Sequence, residues 1–218
     1  MSFSAQLREA TWPHHKRAER TAYLRALVTG RVDRLGYAEM VAQHYFAYVV
    51  LEEAGDAMRR DPVAGPFAAD ELLRVPALER DLAALLGPQW RDSIAPNEAT
   101  RTYCERMREV CFTWPFAFVA HHYTRYLGDL SGGQYLARAV ESRLGVDKQN
   151  GTAFYDFSAL GDLEAFRHAY REQLDATPWS EQERSWFIAE AAFAYDINTA
   201  VLDQLAGHAQ PETASAAA

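Results

Sequence analysis

The sequence predicts an all-α, single-domain protein, and three observations carry that reading. Apolar residues recur at three- and four-residue steps along most of the chain. No segment sustains the two-residue alternation of a half-buried strand, and hairpin dipeptides are lacking except for Asn150-Gly151. Glycine is scarce, 12 in 218 residues, as suits a helical chain. The elements follow in order. An amphipathic start runs from Phe3 to Leu27. Tyr37, Met40, Val41, Tyr45, Tyr48 and Val49 then form one helical stripe, capped by Asp33 and ended by Asp61-Pro62. Asn97 caps a helix from Glu98 to about Val110. Thr113-Trp114-Pro115 closes that element and opens another, with Pro115 in the first turn. This helix is expected to continue through the glycine cluster to Arg143 and stop at Gly145. Asp162 caps a helix through Leu174, and Thr177-Pro178 opens the last, to about Leu205. The expectation is about eight helices in one domain over residues 1–207, with 208–218 a disordered alanine-rich tail.

Composition narrows the function classes. Apolar residues make up 49% and charged ones 24%, enough for a core and too apolar for wholesale disorder. The net charge of −8 and the absence of a Lys/Arg run argue against nucleic acid and against a basic membrane-surface helix. No apolar run approaches the ~18 residues that span a bilayer. Met1 to Glu19 lacks the blocks of a signal peptide. Cys104 and Cys111 stand seven apart, about 10 Å along a helix, which suits neither a disulfide nor a CxxC site. A cytoplasmic setting follows. Ferritin-like di-iron chemistry needs Glu-x-x-His pairs, and none of the seven histidines has a glutamate three places before it. HExxH, P-loop and dinucleotide fingerprints are absent, and Gly128-Asp-Leu-Ser-Gly132 is not a GxSxG elbow.

Two segments remain as candidates. In Trp12-Pro13-His14-His15-Lys16-Arg17-Ala18-Glu19, neighbouring histidines point about 100° apart on a helix, so one can face inward while the other is solvated. His15 and Glu19 share a face, and a carboxylate there can orient a metal-binding imidazole through its second nitrogen. Taken alone, the pair reads as two surface histidines. The second segment is His121 to Gln134, with Gly128, Gly132 and Gly133. Glycine within a helix costs about 1 kcal/mol against alanine, so the cluster needs a cause. A flat group approaching the backbone is one, and a bend is another; close helix–helix packing with Asp129 as a cap serves equally. Phe112, Trp114, Phe116, Phe118, Tyr123 and Tyr126 read by default as core, and Arg167 and Arg171 as a solvated i,i+4 pair.

Together these segments resemble the haem oxygenases. The resemblance rests on Leu7-Arg8-Glu9-Ala10-Thr11 followed by His15-x-x-x-Glu19, and above all on Tyr123-Thr124-Arg125-Tyr126-Leu127-Gly128-Asp129-Leu130-Ser131-Gly132-Gly133-Gln134. Leu51-Glu52-Glu53, Gly87-Pro88-Gln89-Trp90 and Phe166-Arg167-x-x-Tyr170-Arg171 support it in the same order, from about residue 7 to 205. The resemblance implies haem b, both substrate and cofactor, held between the helix of His15 and that of the glycines. It makes His15 the proximal iron ligand, with Glu19 beside it, and leaves His14 without that role. It puts Gly128 and Gly132 against the macrocycle, with Arg125 and Asp129 in the catalytic set. It assigns Arg8, Tyr123, Arg167 and Arg171 to the propionates, where guanidinium–carboxylate bonds are strong.

The implied reaction cleaves the ring at a meso carbon, α-meso first, using O₂ and an external electron donor, and yields biliverdin, CO and Fe²⁺. Asp129, acting through water, would supply protons without a strong acid at the bound oxygen. The donor would be ferredoxin, flavodoxin or a flavin reductase, and the protein a monomer. Animal members tend to carry a second basic residue where this chain has Trp12. Two other functions compete: a haem carrier or sensor without turnover, and a helical thiamin-degrading type of enzyme that would not need His15.

Overall fold

A computed structural model describes residues 1–211. Among these residues the fold is helical, with ten α-helices joined by short 3₁₀ turns. They are α1 (Phe3–Glu19), α2 (Ala22–Val28), α3 (Arg34–Met58), α4 (Val75–Leu86), α5 (Trp90–Ser93), α6 (Glu98–Val110), α7 (Pro115–His122), α8 (Gln134–Leu144), α9 (Leu163–Ala176) and α10 (Glu181–Gln204). The long helix α10 packs on α1, α6 and α7, and α3 packs on α4, α6 and α7. Leu7, Tyr23, Tyr37, Tyr48, Phe118 and Phe187 are fully buried where these faces meet. No helix among the described residues is long and apolar enough to cross a membrane.

Local chemistry explains the boundaries. Asp33 and Asn97 accept from backbone N–H groups of the first turns of α3 and α6, as their positions predict. Asp162 does the same for α9, and Gly145, in the left-handed region at φ 64°, ends α8. Four expectations need correction. The first helix is two: Thr21 Oγ1 accepts from Leu24 N and donates to the carbonyl of Ala18, so α2 starts afresh. The last helix opens at Ser180, not at Thr177-Pro178, through a reciprocal capping box with Glu183. Phe112 and Trp114, read as core, lie at the surface, 37% and 49% exposed, because the α6–α7 turn carries them outward. The ordered chain also outlasts residue 207. Ala206–His208 forms a turn, and Ala209 pairs with Val32 in an isolated antiparallel bridge. Residues 212–218 of the expected tail lie outside the described residues.

The candidate core of the function lies between α7 and α8. The helix expected to run through the glycines does continue, but residues Tyr123–Leu127 and Asp129–Gly133 are wound as π-helix. Such widened turns are rare and concentrate at functional sites.

Candidate functional site

The π-wound stretch forms one wall of a cleft. A Cβ built on Gly128 or Gly132 would meet nothing within 4 Å, whereas one on Gly133 would sit 3.2 Å from Tyr155. Gly133 therefore answers to close packing, and Gly128 and Gly132 to open space. The opposite wall is α1. His15 lies on it, its Nδ1 3.8 Å from the Glu19 carboxylate and without a hydrogen-bond partner among the described residues. Nδ1 is buried, and the ring borders both cavities of the cleft. His14 points elsewhere, its Nδ1 2.7 Å from Asp196 Oδ1 on α10.

Two connected cavities occupy the cleft. The outer one, about 900 Å³, is lined by Arg8, Trp12, His15, Tyr123, Gly128 and Arg171. The inner one, about 320 Å³, is lined by His15, His44, Arg125, Gly128, Asp129 and Gly132. His15, Gly128 and Tyr195 border both, so the two volumes meet at the waist between α1 and the π-helix. Volumes of this order accept cofactor-sized ligands. Arg8 and Arg171 stand at the mouth with Glu9, and the inner cavity mixes apolar side chains with Arg125, Asp129, His44 and Asn198.

Arg167 is the sequence-predicted residue that neither cavity includes. Its Nη1 donates instead to the carbonyl of Leu130, 2.6 Å away, tying α9 to the second π segment.

The inner cavity holds a polar network. The Tyr48 hydroxyl donates to Asp129 Oδ2. Arg125, buried, donates to Asn198 Oδ1 at 2.6 Å and lies over the Tyr48 ring. Burial raises the Asp129 carboxyl to about 6, against the opposing pull of Arg125 and of the Tyr48 hydrogen bond. Burial, with Asp129's charge beside it, pushes the Tyr48 phenol well above its ordinary value, so it remains a donor. His44 faces the same space. Its Nδ1 is 2.7 Å from the carbonyl of Met40 and therefore carries the proton. Burial and Arg125 lower its pKa to about 3, which keeps the ring neutral.

Sequence reasoning missed Tyr48, Asn198, Tyr195 and His44. Tyr48 sits in an apolar stripe that reads as core, and it is fully buried. Asn198 and Tyr195 lie on α10, 73 residues beyond Arg125 and 180 beyond His15, so no local spacing marks them.

Fold and cleft define a helical protein with a cofactor-sized cleft between its first helix and a π-wound helix. Comparison with known proteins is consistent along the whole domain. The family model for heme oxygenase matches residues 1–204. A heme oxygenase of Guillardia theta is 35% identical over 204 residues, covering 94% of this chain and 86% of that one. Heme oxygenase 1 of Pongo abelii is 37% identical, covering 93% and 71%. The crystal structure of heme oxygenase-1 from Synechocystis, in complex with heme, superposes with a TM-score of 0.90 at 33% identity, covering 95% and 93%. The chain belongs to the heme oxygenase family.

Proposed function

We propose that the protein is a haem-degrading monooxygenase that opens haem b at a meso carbon, giving biliverdin, CO and Fe²⁺. The observation that carries this reading is the cleft itself, with His15 on one wall and two side-chain-free positions, Gly128 and Gly132, on the other. The residues fit the group. His15, its Nδ1 buried and unpartnered among the described residues, borders the cavity, and a lone imidazole suits a metal that brings its other ligands with it. The mouth supplies Arg8, Tyr123 and Arg171 for the propionates. Arg167, engaged with Leu130, is assigned instead to holding the π-wound helix in place.

Bound there, haem supplies both the iron at which O₂ is reduced and the ring that is oxidised. The protein's part is positioning and proton handling. His15 would hold the iron through Nε2, with the Glu19 carboxylate 3.8 Å from its other nitrogen as a nearby negative charge. Gly128 and Gly132 let the helix backbone lie against the macrocycle and limit the space above it. Asp129, titrating near 6, can hold or release a proton at its free oxygen while Tyr48 fixes the other. Arg125 and Asn198 keep this network in place. The electrons come from an external donor, which we take to be ferredoxin, flavodoxin or a flavin reductase. A cytoplasmic monomer completes the reading; two free, buried cysteines agree with a reducing compartment.

Mixing purified protein with haemin and then adding reductant in air tests the proposal. A Soret band that gives way to bilin absorption is the expected result. A Soret band that persists would mean a carrier or sensor, and no band at all would remove haem from the account.

The glycines offer a second check. Gly128→Ala and Gly132→Ala add a methyl that meets no protein atom, so apoprotein melting should be unchanged or slightly raised. Haem affinity should nevertheless fall by about tenfold, because the methyl occupies ligand space. Titration of haemin into each variant, beside a thermal melt, measures both.

A further inference from the structure

Trp12, His15, Lys16 and Glu19 fall on one face of α1 and touch one another in a closed set. The Trp12 indole stacks on the His15 imidazole, ring centres 5.5 Å apart and planes within 6°. Lys16 Nζ stands 4.8 Å from the Trp12 ring centre and 3.8 Å from Glu19 Oε2. That same oxygen faces His15 Nδ1. From α10, Tyr195 meets the imidazole edge-on at 5.7 Å.

The torsion that turns a histidine ring about its Cβ–Cγ bond is broad and roughly two-fold, so the plane of the ring must be set by its neighbours. Glu19 restrains one nitrogen at 3.8 Å, longer than a hydrogen bond, which leaves the plane loosely held from that side. The indole covers a face. Trp12 itself is 46% exposed, so it is not kept in place by burial in the core. Its partners are His15 and the Lys16 ammonium, a cation over an aromatic face.

We propose that Trp12, anchored by Lys16, is a positioning residue that sets the plane of the His15 imidazole at the iron. This rests on the reading of His15 as the ligand. The plane of an axial imidazole fixes how its π orbital overlaps the metal d orbitals. Disturbing it therefore shows in the metal's spectrum even where the fold is intact.

The test compares haem complexes of the wild type, Trp12→Ala, Trp12→Phe and Lys16→Met. Three readouts are needed: the g values of the ferric cyanide adduct, the iron–histidine stretching band of the ferrous form, and haemin titration. Trp12→Ala is expected to shift or broaden both signals and to weaken haem binding about two- to tenfold. Trp12→Phe should restore most of the wild-type spectrum, and Lys16→Met should fall between. Should Trp12→Ala not fold, Trp12→Phe and Lys16→Met decide alone, and wild-type signals in Lys16→Met would then overturn the proposal. Wild-type g values and stretching band in Trp12→Ala would overturn it directly. His15→Ala separates the two claims. If it keeps a histidine-ligated spectrum, the ligand assignment fails and this inference with it. If it loses that spectrum while Trp12→Ala stays wild-type, only the role of Trp12 fails.

Discussion

The His15→Ala protein is expected to lose the histidine-ligated haem spectrum and, with it, biliverdin formation, while its apoprotein folds normally. His15 is half-buried at the waist of the cleft and makes no hydrogen bond there among the described residues, so its removal costs the fold little. What disappears is the nitrogen proposed to hold the metal. Haem affinity should fall by about tenfold or more, about 1.4 kcal/mol per decade. Added imidazole should enter the vacated space and restore much of the spectrum. His14→Ala is the contrast. It removes the contact to Asp196, an exposed pair worth about 1 kcal/mol at most, and should leave the haem spectrum unchanged. A His14→Ala protein that loses the spectrum while His15→Ala keeps it would reverse the assignment.

Asp129→Asn separates binding from turnover. The side chain lies beside the cleft and not at its charged mouth, so haem affinity should change little. Loss of a positioned proton donor and acceptor typically costs 10²–10⁴-fold in rate, and biliverdin formation should fall by about that factor. Unimpaired biliverdin formation would remove Asp129 from the mechanism. Stability moves the other way. A carboxyl whose pKa is raised to about 6 in the folded protein still binds a proton where the unfolded chain, at its ordinary value near 4, has released it. Its presence therefore lowers stability as pH rises from about 4 through 6, and the cost persists above that range. Apo Asp129→Asn should thus gain on the wild type between pH 4 and 7, by on the order of 1–2 kcal/mol once cavity solvent is allowed for. Denaturant titrations of the two apoproteins at pH 4.5 and 7 read the difference directly. A gap that narrows with rising pH would contradict the environment described for this carboxylate.

This opposition is expected of a site made for a ligand. Asp129 is half-buried beside a cation and a phenol that together offset only part of its desolvation, and the residual cost is borne by the surrounding helices. His44 shows the other outcome of burial. With no carboxylate to support a charge, it stays neutral and presents a fixed acceptor to the inner cavity.

Much of this was legible in the chain. Helix periodicity, the Asp33, Asn97 and Asp162 caps and the stop at Gly145 are local matters, settled by hydrogen bonds within a few residues of each other. The glycine cluster announced itself because glycine in a helix has a cost that something must justify. The His15–Glu19 pairing followed from an i,i+4 spacing. The four-residue spacing and the resemblance already set Gly128 and Gly132 apart; what the packed structure adds is that Gly133 lies against Tyr155 while those two face open space. The contact that draws His14 away from the cleft likewise comes from Asp196, some 180 residues on. The π winding, the diversion of Arg167 to Leu130, and the gathering of Tyr48, Arg125 and Asn198 around Asp129 have the same origin. Periodicity and capping act within a turn or two of helix, so the sequence alone determines the helices and marks the two segments that carry the chemistry. Cavities and long-range hydrogen bonds exist only once α1, α3, α7 and α10 are packed together, and that packing decides which side chains face the cleft.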